Sequence, residues 1–261
     1  MHPLLHRVTL AFTFALFAAS AGLPGSAVAA RSGSDTMTAE APPVGPFNRV
    51  TISGLAEVVL IQGDREAVVI EAEPKSQARI RVRSSDGRLS VEAGDSRPWW
   101  SVFGMGTGHP PTITIYFRTL DALTVSGAVK VEAAAIQSPE LRISASGATS
   151  IELTALKTDS LDFSGSGAVK AKMAGDARRQ NVSISGAGRY QAPELRSETA
   201  DVSVSGAGRV IVNARKALSA SISGAGSIDY YGDPKVSQRI SGAGKINRRG
   251  AGASPASLRT A

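Results

Sequence analysis

Serine is the residue whose spacing first suggests chemistry, because it recurs every 18 to 20 residues in the second half of the chain. Each copy opens the tripeptide Ser-Gly-Ala or a close variant, at Ser126, Ser146, Ser166, Ser185, Ser205, Ser223 and Ser241. A nucleophilic serine needs a neighbouring base, usually histidine. Beyond the first six residues the only histidine is His109, in a Gly-Pro segment, and no serine stands in a G-x-S-x-G turn. We therefore interpret His109 as a loop residue and expect no serine hydrolase.

Two carboxylates at one repeat position raise the question of glycoside chemistry. Glu132 and Glu152 both stand six places after a repeat serine, so stacked repeats would hold them about 4.8 Å apart. Glycosidic hydrolysis uses two carboxylates roughly 5 to 10 Å apart. The same position continues as Lys172, Gln191, Ile211, Asp229 and Asn247, so the acidic pair is not extended. We interpret both glutamates as solvated residues beside Lys130 and expect no enzyme.

Cations mark another position of the repeat. The residue four places after each repeat serine is Lys130, Ser150, Lys170, Arg189, Arg209, Ser227 or Lys245. The residue after it is almost always apolar, and alternation along a strand then points the cation outward and the apolar residue inward. Lys130, Lys170, Arg189, Arg209 and Lys245 are therefore predicted to form a column that could contact an anionic polysaccharide. The alternative is that these cations only block edge pairing and keep the protein soluble.

Aromatic residues supply a second candidate contact. Trp99 and Trp100, with Phe103 nearby, lie in a Gly- and Pro-containing segment before the regular repeats. Exposed tryptophans often contact sugars or partner proteins. The other interpretation is that they cover an open end or side of the core, as terminal repeats require.

The elements that must position these residues follow from the period. Repeats of 18 to 20 residues indicate stacked structural units, and strand-like alternation without helical spacing favours a parallel β-helix. A β-propeller is the runner-up, but its blades need about 40 to 45 residues. The glycine after each repeat serine predicts a corner with positive φ, and the stacked serines predict structural ladders. Ser53-Gly54 looks like a more distant eighth copy.

Composition divides the chain into four regions and indicates where in the cell the protein is located. Residues 1–29 are predicted to be a signal peptide, 30–45 a flexible leader, 46–250 the β-helix domain and 251–261 a disordered tail. The apolar run near the start is short for a membrane anchor, and no second run predicts a transmembrane segment in the mature chain. Without cysteine the chain can form neither disulfides nor thiolate metal sites, and one mature histidine predicts no metal or other cofactor. A net charge of +7 suits anionic partners without requiring nucleic acid.

Several segments carry a resemblance to a known family. Phe47–Gly54, VVLIQGD at 58–64, Asp86–Leu89, LDALTVSGAVKV at 120–131 and the SGAG copies resemble GIN head domains, labelled auto-transporter adhesin heads. The resemblance extends over about residues 46 to 248 and implies a right-handed parallel β-helix in an exported bacterial protein. It supplies no catalytic residues.

The expected function is a non-catalytic binding, adhesin-like or scaffold module of the bacterial cell envelope, in the periplasm or at the surface. Envelope glycans and envelope proteins are the expected partners. Two alternatives stay open: a β-helix carbohydrate-active enzyme, and a periplasmic sensor or assembly factor.

Overall fold

The computed structural model describes residues 37–40, 44–94 and 110–250. The first part of the chain forms β1 (Met37–Glu40), β2 (Arg49–Gln62), β3 (Ala67–Ala72), α1 (Pro74–Gln77), β4 (Ile80–Ser85), β5 (Arg88–Ala93) and β6 (Thr112–Phe117). The repeats form β7 (Ala122–Ala133), β8 (Ile136–Gln137), β9 (Glu140–Gly147), β10 (Ser150–Gly167), β11 (Lys170–Gly186), β12 (Arg189–Gly206), β13 (Arg209–Gly224), β14 (Ser227–Tyr231), β15 (Lys235–Gly242) and β16 (Lys245–Gly250). In these segments no helix is long and apolar enough to cross a membrane.

The strands of the repeats stack in parallel, displaced by one repeat at each step. Repeat serines lie opposite one another from Ser126 to Ser241 in an unbroken register. Ser53 lies opposite Ser126, which confirms that Ser53-Gly54 is an eighth copy. The predicted parallel β-helix with 18 to 20 residues per coil is thereby confirmed.

The corner of each coil is built by the glycine after the repeat serine. Gly127, Gly147 and Gly186 have φ values of 98°, 83° and 104°, a region that residues with a Cβ rarely enter. The corners also stack backbone on backbone, because a Cβ on Gly147 would lie 2.6 Å from the carbonyl oxygen of Gly127. The amide of Ala148 donates a 2.9 Å hydrogen bond to that same oxygen. The predicted glycine corner is confirmed.

The core is a column of apolar side chains inside the coils. The residues five places after the repeat serines are fully buried from Val131 to Ile228, and Ile246 in the last coil is half-buried. Gln180 is a polar exception in a column that otherwise holds Leu141, Leu161 and Ala200. Its amide donates to Ser197 Oγ at 2.7 Å, and it accepts from the Tyr190 hydroxyl at 3.3 Å. Burial raises the pKa of the Tyr190 hydroxyl, which therefore stays protonated as a donor.

The part before the repeats departs from pure parallel stacking. β3 pairs antiparallel with β6, and β4 pairs antiparallel with β5. The β4–β5 hairpin turns at Asp86-Gly87, with φ values of 51° and 70°, and Asp-Gly is a pair that favours such tight turns. β1 falls inside the predicted flexible leader, and here the structure differs from the prediction. β1 completes an edge of β3 through main-chain hydrogen bonds, which need no apolar alternation in its sequence.

Candidate binding surface: a column of cations

The residues four places after the repeat serines form one continuous column on the outside of the solenoid. Strand register places Lys130 opposite Ser150, Ser150 opposite Lys170, and so on through Arg189, Arg209, Ser227 and Lys245. We call these seven residues the cationic column. All five of its cations are exposed. The structure thus brings together the five charged site residues that the spacing predicts.

Local strand geometry explains why the column faces outward. Each member begins a strand or follows a corner, and its next neighbour points into the core; Tyr190 after Arg189 and Val210 after Arg209 are fully buried. Because side chains alternate along a strand, burial of that neighbour fixes the cation on the opposite face. The apolar core therefore holds the column at a constant place on every coil.

The first end of the column is neutralised, which the seven-copy pattern did not predict. Glu57, in the eighth copy, lies opposite Lys130. Lys130 Nζ also lies 2.7 Å from Glu132 Oε1, and this hydrogen bond and charge raise the lysine pKa. Counting four places from Ser53, in the eighth copy recognised from the sequence, would have placed Glu57 in the column. The available positive charge therefore begins at Lys170.

Lys170, Arg189 and Arg209 occupy successive coils, and Ser227 separates them from Lys245 in the last coil. Among the described residues no carboxylate forms an ion pair with any of these four cations. Arg189 and Arg209 lie about 4.8 Å apart along the solenoid. Arg209 Nε donates to Ser227 Oγ at 3.3 Å, and the arginine charge helps to lower the pKa of the Asp229 carboxyl without forming an ion pair with it.

On another side of the same solenoid, charged side chains form ion pairs between coils. Arg196 makes a two-point contact with Asp176 on the preceding coil, at 2.6 and 2.8 Å, and lowers the pKa of that carboxyl. On the next coil Lys216 Nζ lies 2.8 Å from Glu198. On that side each of these two carboxylates is therefore paired with a cation on the following coil. The like-charged column is not a general consequence of stacking.

A groove adjoins the cationic column two residues further along the same strands. It has a volume of about 340 Å³ and is lined by Lys172, Gln191, Ile211 and Met173 among others. In the sequence, this position was considered only because Glu132 and Glu152 are not followed there by further acidic residues. The groove gives the middle of the column a partly apolar neighbour with the Gln191 amide, the Lys172 amine and the carboxylates of Glu152 and Glu194; Glu152 is paired with Lys172.

A larger groove, of about 580 Å³, follows the serine ladder along the later part of the same strands. Its charged lining consists of Arg142, Asp162 and Asp201, and Asn181 Nδ2 donates to Asp162 Oδ1 at 2.7 Å. Two carboxylates beside one guanidinium repel anions, so the larger groove suits an anionic ligand less well than the cationic column does.

The two glutamates considered for hydrolysis are each held by a lysine. Glu132 pairs with Lys130, and Glu152 Oε2 lies 3.5 Å from Lys172 Nζ. Both carboxyl groups are about half exposed to solvent. In the described segments no three histidine, cysteine or acidic residues gather where a metal could bind.

Trp99, Trp100, Phe103 and His109 lie outside the described residues, as do the predicted signal peptide and the tail at 251–261. The choice between a contact role and a capping role for the tryptophans stays a prediction.

Comparison with known proteins connects this architecture to a family. Residues 46–234 match the family described as "Putative auto-transporter adhesin, head GIN domain". No curated protein sequence matches the chain.

Solved structures with the same fold include proteins from Bacteroides and Parabacteroides species. A structure described as a putative adhesin from Bacteroides fragilis shares 23% identity, covering 83% of this chain and 98% of its own, with a TM-score of 0.76. A second, described as a putative lipid binding protein from Parabacteroides distasonis, shares 18% identity, with coverage of 82% and 96% and a TM-score of 0.63. A third, described as a putative adhesin from Parabacteroides merdae, shares 18% identity, with coverage of 82% and 95% and a TM-score of 0.63. At these identities the likeness shows the fold. The family match, which covers most of the chain, shows that this protein belongs to the auto-transporter adhesin head GIN domain family.

Proposed function

We propose that this protein is an exported, non-catalytic adhesin-like module of the bacterial cell envelope that binds an anionic polysaccharide along its cationic column. The observation that carries the proposal is the run from Lys170 to Lys245, in which four exposed cations form no ion pair with a carboxylate of the described residues. Like charges held side by side are mildly unfavourable in the free protein, and an anionic ligand would relieve that repulsion.

The periodicity of the column favours a polymer over a small ligand. From Lys130 to Lys245 it crosses six coil-to-coil steps, or roughly 29 Å. A chain with regularly placed carboxylate or phosphate groups can contact several of these cations at once. Each exposed contact contributes at most about 1 kcal/mol, so useful affinity requires several of them together.

The groove beside the column supplies contacts that are not electrostatic. The half-buried side chain of Ile211 offers apolar surface, and the Gln191 amide can hydrogen-bond sugar hydroxyls. An acidic polysaccharide presents both anionic groups and ring faces, so it suits a cationic column with a partly apolar groove.

The test is binding of polygalacturonate, an acidic polysaccharide, to the full chain and to the double variant Arg189→Glu/Arg209→Glu. We expect the double variant to bind at least about tenfold more weakly, since reversal removes two attractions and adds two repulsions. Binding to the unchanged protein should also weaken as salt rises from 50 to 300 mM, because exposed charges are screened. Isothermal titration or biolayer interferometry would measure both effects.

The matched control is Arg179→Glu/Arg215→Glu, which changes net charge equally at two exposed arginines away from the column. It should retain most of the polygalacturonate affinity, and dextran, a neutral polysaccharide, should not bind through the column. Equal losses in the two double variants would show a response to net charge alone and would contradict the proposal.

Export is the remaining part of the proposal, motivated by the apolar run at residues 8–23 and the Ala-Val-Ala segment at 27–29. N-terminal sequencing of the protein from the envelope fraction should begin near Ala30. A chain that retains Met1 and stays in the cytoplasm would contradict export.

A further inference from the structure

The last coil of the solenoid presents an open edge. β15 pairs only with β13, and β16 pairs only with β14, so within the described part of the chain nothing pairs with their outer sides. An unpaired strand edge presents a row of main-chain donors and acceptors that another extended segment can satisfy.

Apolar side chains are exposed along this edge. Val236 and Ile240 on β15 continue the core positions of Leu218 and Ile222 on β13. Leu218 and Ile222 are each 1% exposed, whereas Val236 is 39% and Ile240 43% exposed. The difference arises because another coil covers the first pair and none covers the second. A further strand in the same register would bury both side chains.

Cations flank these apolar positions on the same strand. Lys235 and Arg239 alternate with Val236 and Ile240, and in the described residues no carboxylate pairs with either cation. Cross-strand neighbours lie about 5 Å apart, so an acidic side chain on an added strand could reach each cation. A strand added beside β15 would therefore match it best with acidic residues opposite the cations and apolar residues opposite Val236 and Ile240.

The edge is held in a fixed geometry. Asp229 on β14 is almost completely buried; Arg249 Nη2 on β16 donates to its carboxylate at 2.9 Å, and Asn247 Nδ2 donates at 3.1 Å. The Gly232 amide also donates to the Gly250 carbonyl at 3.0 Å. These contacts fasten the last coil to the body, so that a binding partner would meet an edge that is already formed.

We propose that the outer edge of β15 binds an extended acidic segment of another protein by parallel strand addition. Its side chains would alternate so that apolar residues cover Val236 and Ile240 while acidic residues face Lys235 and Arg239. This surface is a second one, and its function does not depend on polysaccharide binding at the cationic column.

Charge favours an acidic segment of another protein over two other possible occupants of the edge, the chain's own C-terminal tail and a second copy of the chain. Residues 251–261 contain one arginine and no acidic residue, so the chain's own tail does not complement the edge. A second copy stacked end to end would bring the edge strand β4, which carries Arg81 and Arg83, against Lys235 and Arg239. Repulsion among these cations disfavours self-stacking.

The experiment uses the full chain and a synthetic peptide, Glu-Val-Thr-Gln-Glu-Ile-Thr, whose order mirrors β15. We expect it to bind at least tenfold more tightly than the same peptide with lysine in place of both glutamates. The double variant Lys235→Glu/Arg239→Glu should reverse that preference. Arg189→Glu/Arg209→Glu should leave peptide binding unchanged, which separates this proposal from the one for the column.

Amide hydrogen exchange identifies where the peptide binds. Amides of β15 should exchange at least tenfold more slowly when the acidic peptide is bound. Absence of binding at millimolar peptide, or binding that leaves β15 exchange unchanged, would overturn the proposal. So would protection of β15 in the free protein that disappears on removal of residues 251–261 or on dilution, because the tail or a second copy would then occupy the edge.

Discussion

At the scale of single residues, Thr149 is a polar side chain buried in the apolar interior of the solenoid. It stands three places after a repeat serine, where the coils on either side have Val129 and Val169, and all three residues are buried. The Thr149 hydroxyl has no hydrogen-bond partner among the described residues. A buried hydroxyl without a partner destabilises the folded state, because it has lost its hydrogen bonds to water.

We therefore expect Thr149→Val to raise the free energy of unfolding by about 1 kcal/mol, or the Tm by roughly 2 to 4 °C. Urea unfolding and a thermal melt would measure the change. Thr158→Val is the matched control, because Thr158 is also buried but its hydroxyl donates to the Ser160 carbonyl at 2.9 Å and has a bond to lose. Equal effects of the two substitutions would show that the added methyl group, and not the hydroxyl, is responsible.

Asp229 is the residue whose protonation should affect folding. Burial alone would raise its pKa, but the hydrogen bonds from Arg249 and Asn247 outweigh burial and leave the pKa below its ordinary value. A carboxyl whose pKa is lower in the folded than in the unfolded state stabilises the fold above the unfolded value, about 3.9. That contribution is lost as the pH falls from about 4 through the folded pKa.

Asp229→Asn should thus be less stable than the unchanged protein at pH 6, and the difference should shrink as the pH approaches 2. Arg249→Met should also destabilise the protein at pH 6, because it removes the charged hydrogen-bond donor of a buried carboxylate. Urea unfolding at a series of pH values would measure both. A stability difference that stays constant from pH 6 to pH 2 would contradict this role for Asp229.

The residue scale also shows where prediction from sequence succeeded. The cationic column was predictable because its members share one position in a period that the sequence displays. Burial of Asp229 was not, because the same position is exposed at Glu132 and Asn247, and only the arginine on β16 makes burial tolerable. Glu57 was missed because the column was assembled from the seven regular copies, although Ser53-Gly54 was recognised as an eighth.

At the scale of elements, two positions near a corner share one space, so that a large side chain at one goes with a small residue at the other. The residue before the repeat serine is Gly165 in one coil and Ile184 in the next, while the residue three places after that serine changes from Val169 to Gly188. A Cβ placed on Gly188 would lie 2.8 Å from Ile184 Cγ2. The isoleucine occupies the space that a valine fills in the preceding coil.

Gly188→Val should destabilise the protein by about 1 to 3 kcal/mol through overpacking. The double variant Ile184→Ala/Gly188→Val should recover part of that loss, because it recreates the small-then-large order of Gly165 and Val169. A double-mutant cycle by urea unfolding would measure the coupling. Strictly additive effects would contradict the size compensation.

Elements were predicted unevenly, and the reason is physical. The alternation of apolar residues and the regular glycines determine strands and corners within each coil, and both were found where expected. Strand direction is not encoded in alternation, so the antiparallel pairing of β3 with β6 had no signal in the sequence. β1 was missed because an edge strand can be held by main-chain hydrogen bonds alone.

At the scale of the whole molecule, stability is distributed along one axis. Each coil contacts chiefly its two neighbours, so the free energy of folding is close to a sum over coil-to-coil interfaces. The last coil has one neighbour, and its β15 is exposed at every position. The two proposed surfaces lie on different parts of the solenoid. The cationic column runs along the side of the coils, and the β15 edge lies at their end.

The stacked corner glycines have a consequence for how such a protein can change over evolutionary time. Successive corners meet through backbone atoms, so the contact does not depend on which side chains the two coils carry. Duplication or loss of one complete coil by recombination would leave every corner with an equivalent neighbour. Each duplication could also add a charge to the column, and the multivalency of the surface would grow in discrete steps. Under the proposed function, avidity for a long polymer could then be adjusted by the number of coils, without redesign of any single contact.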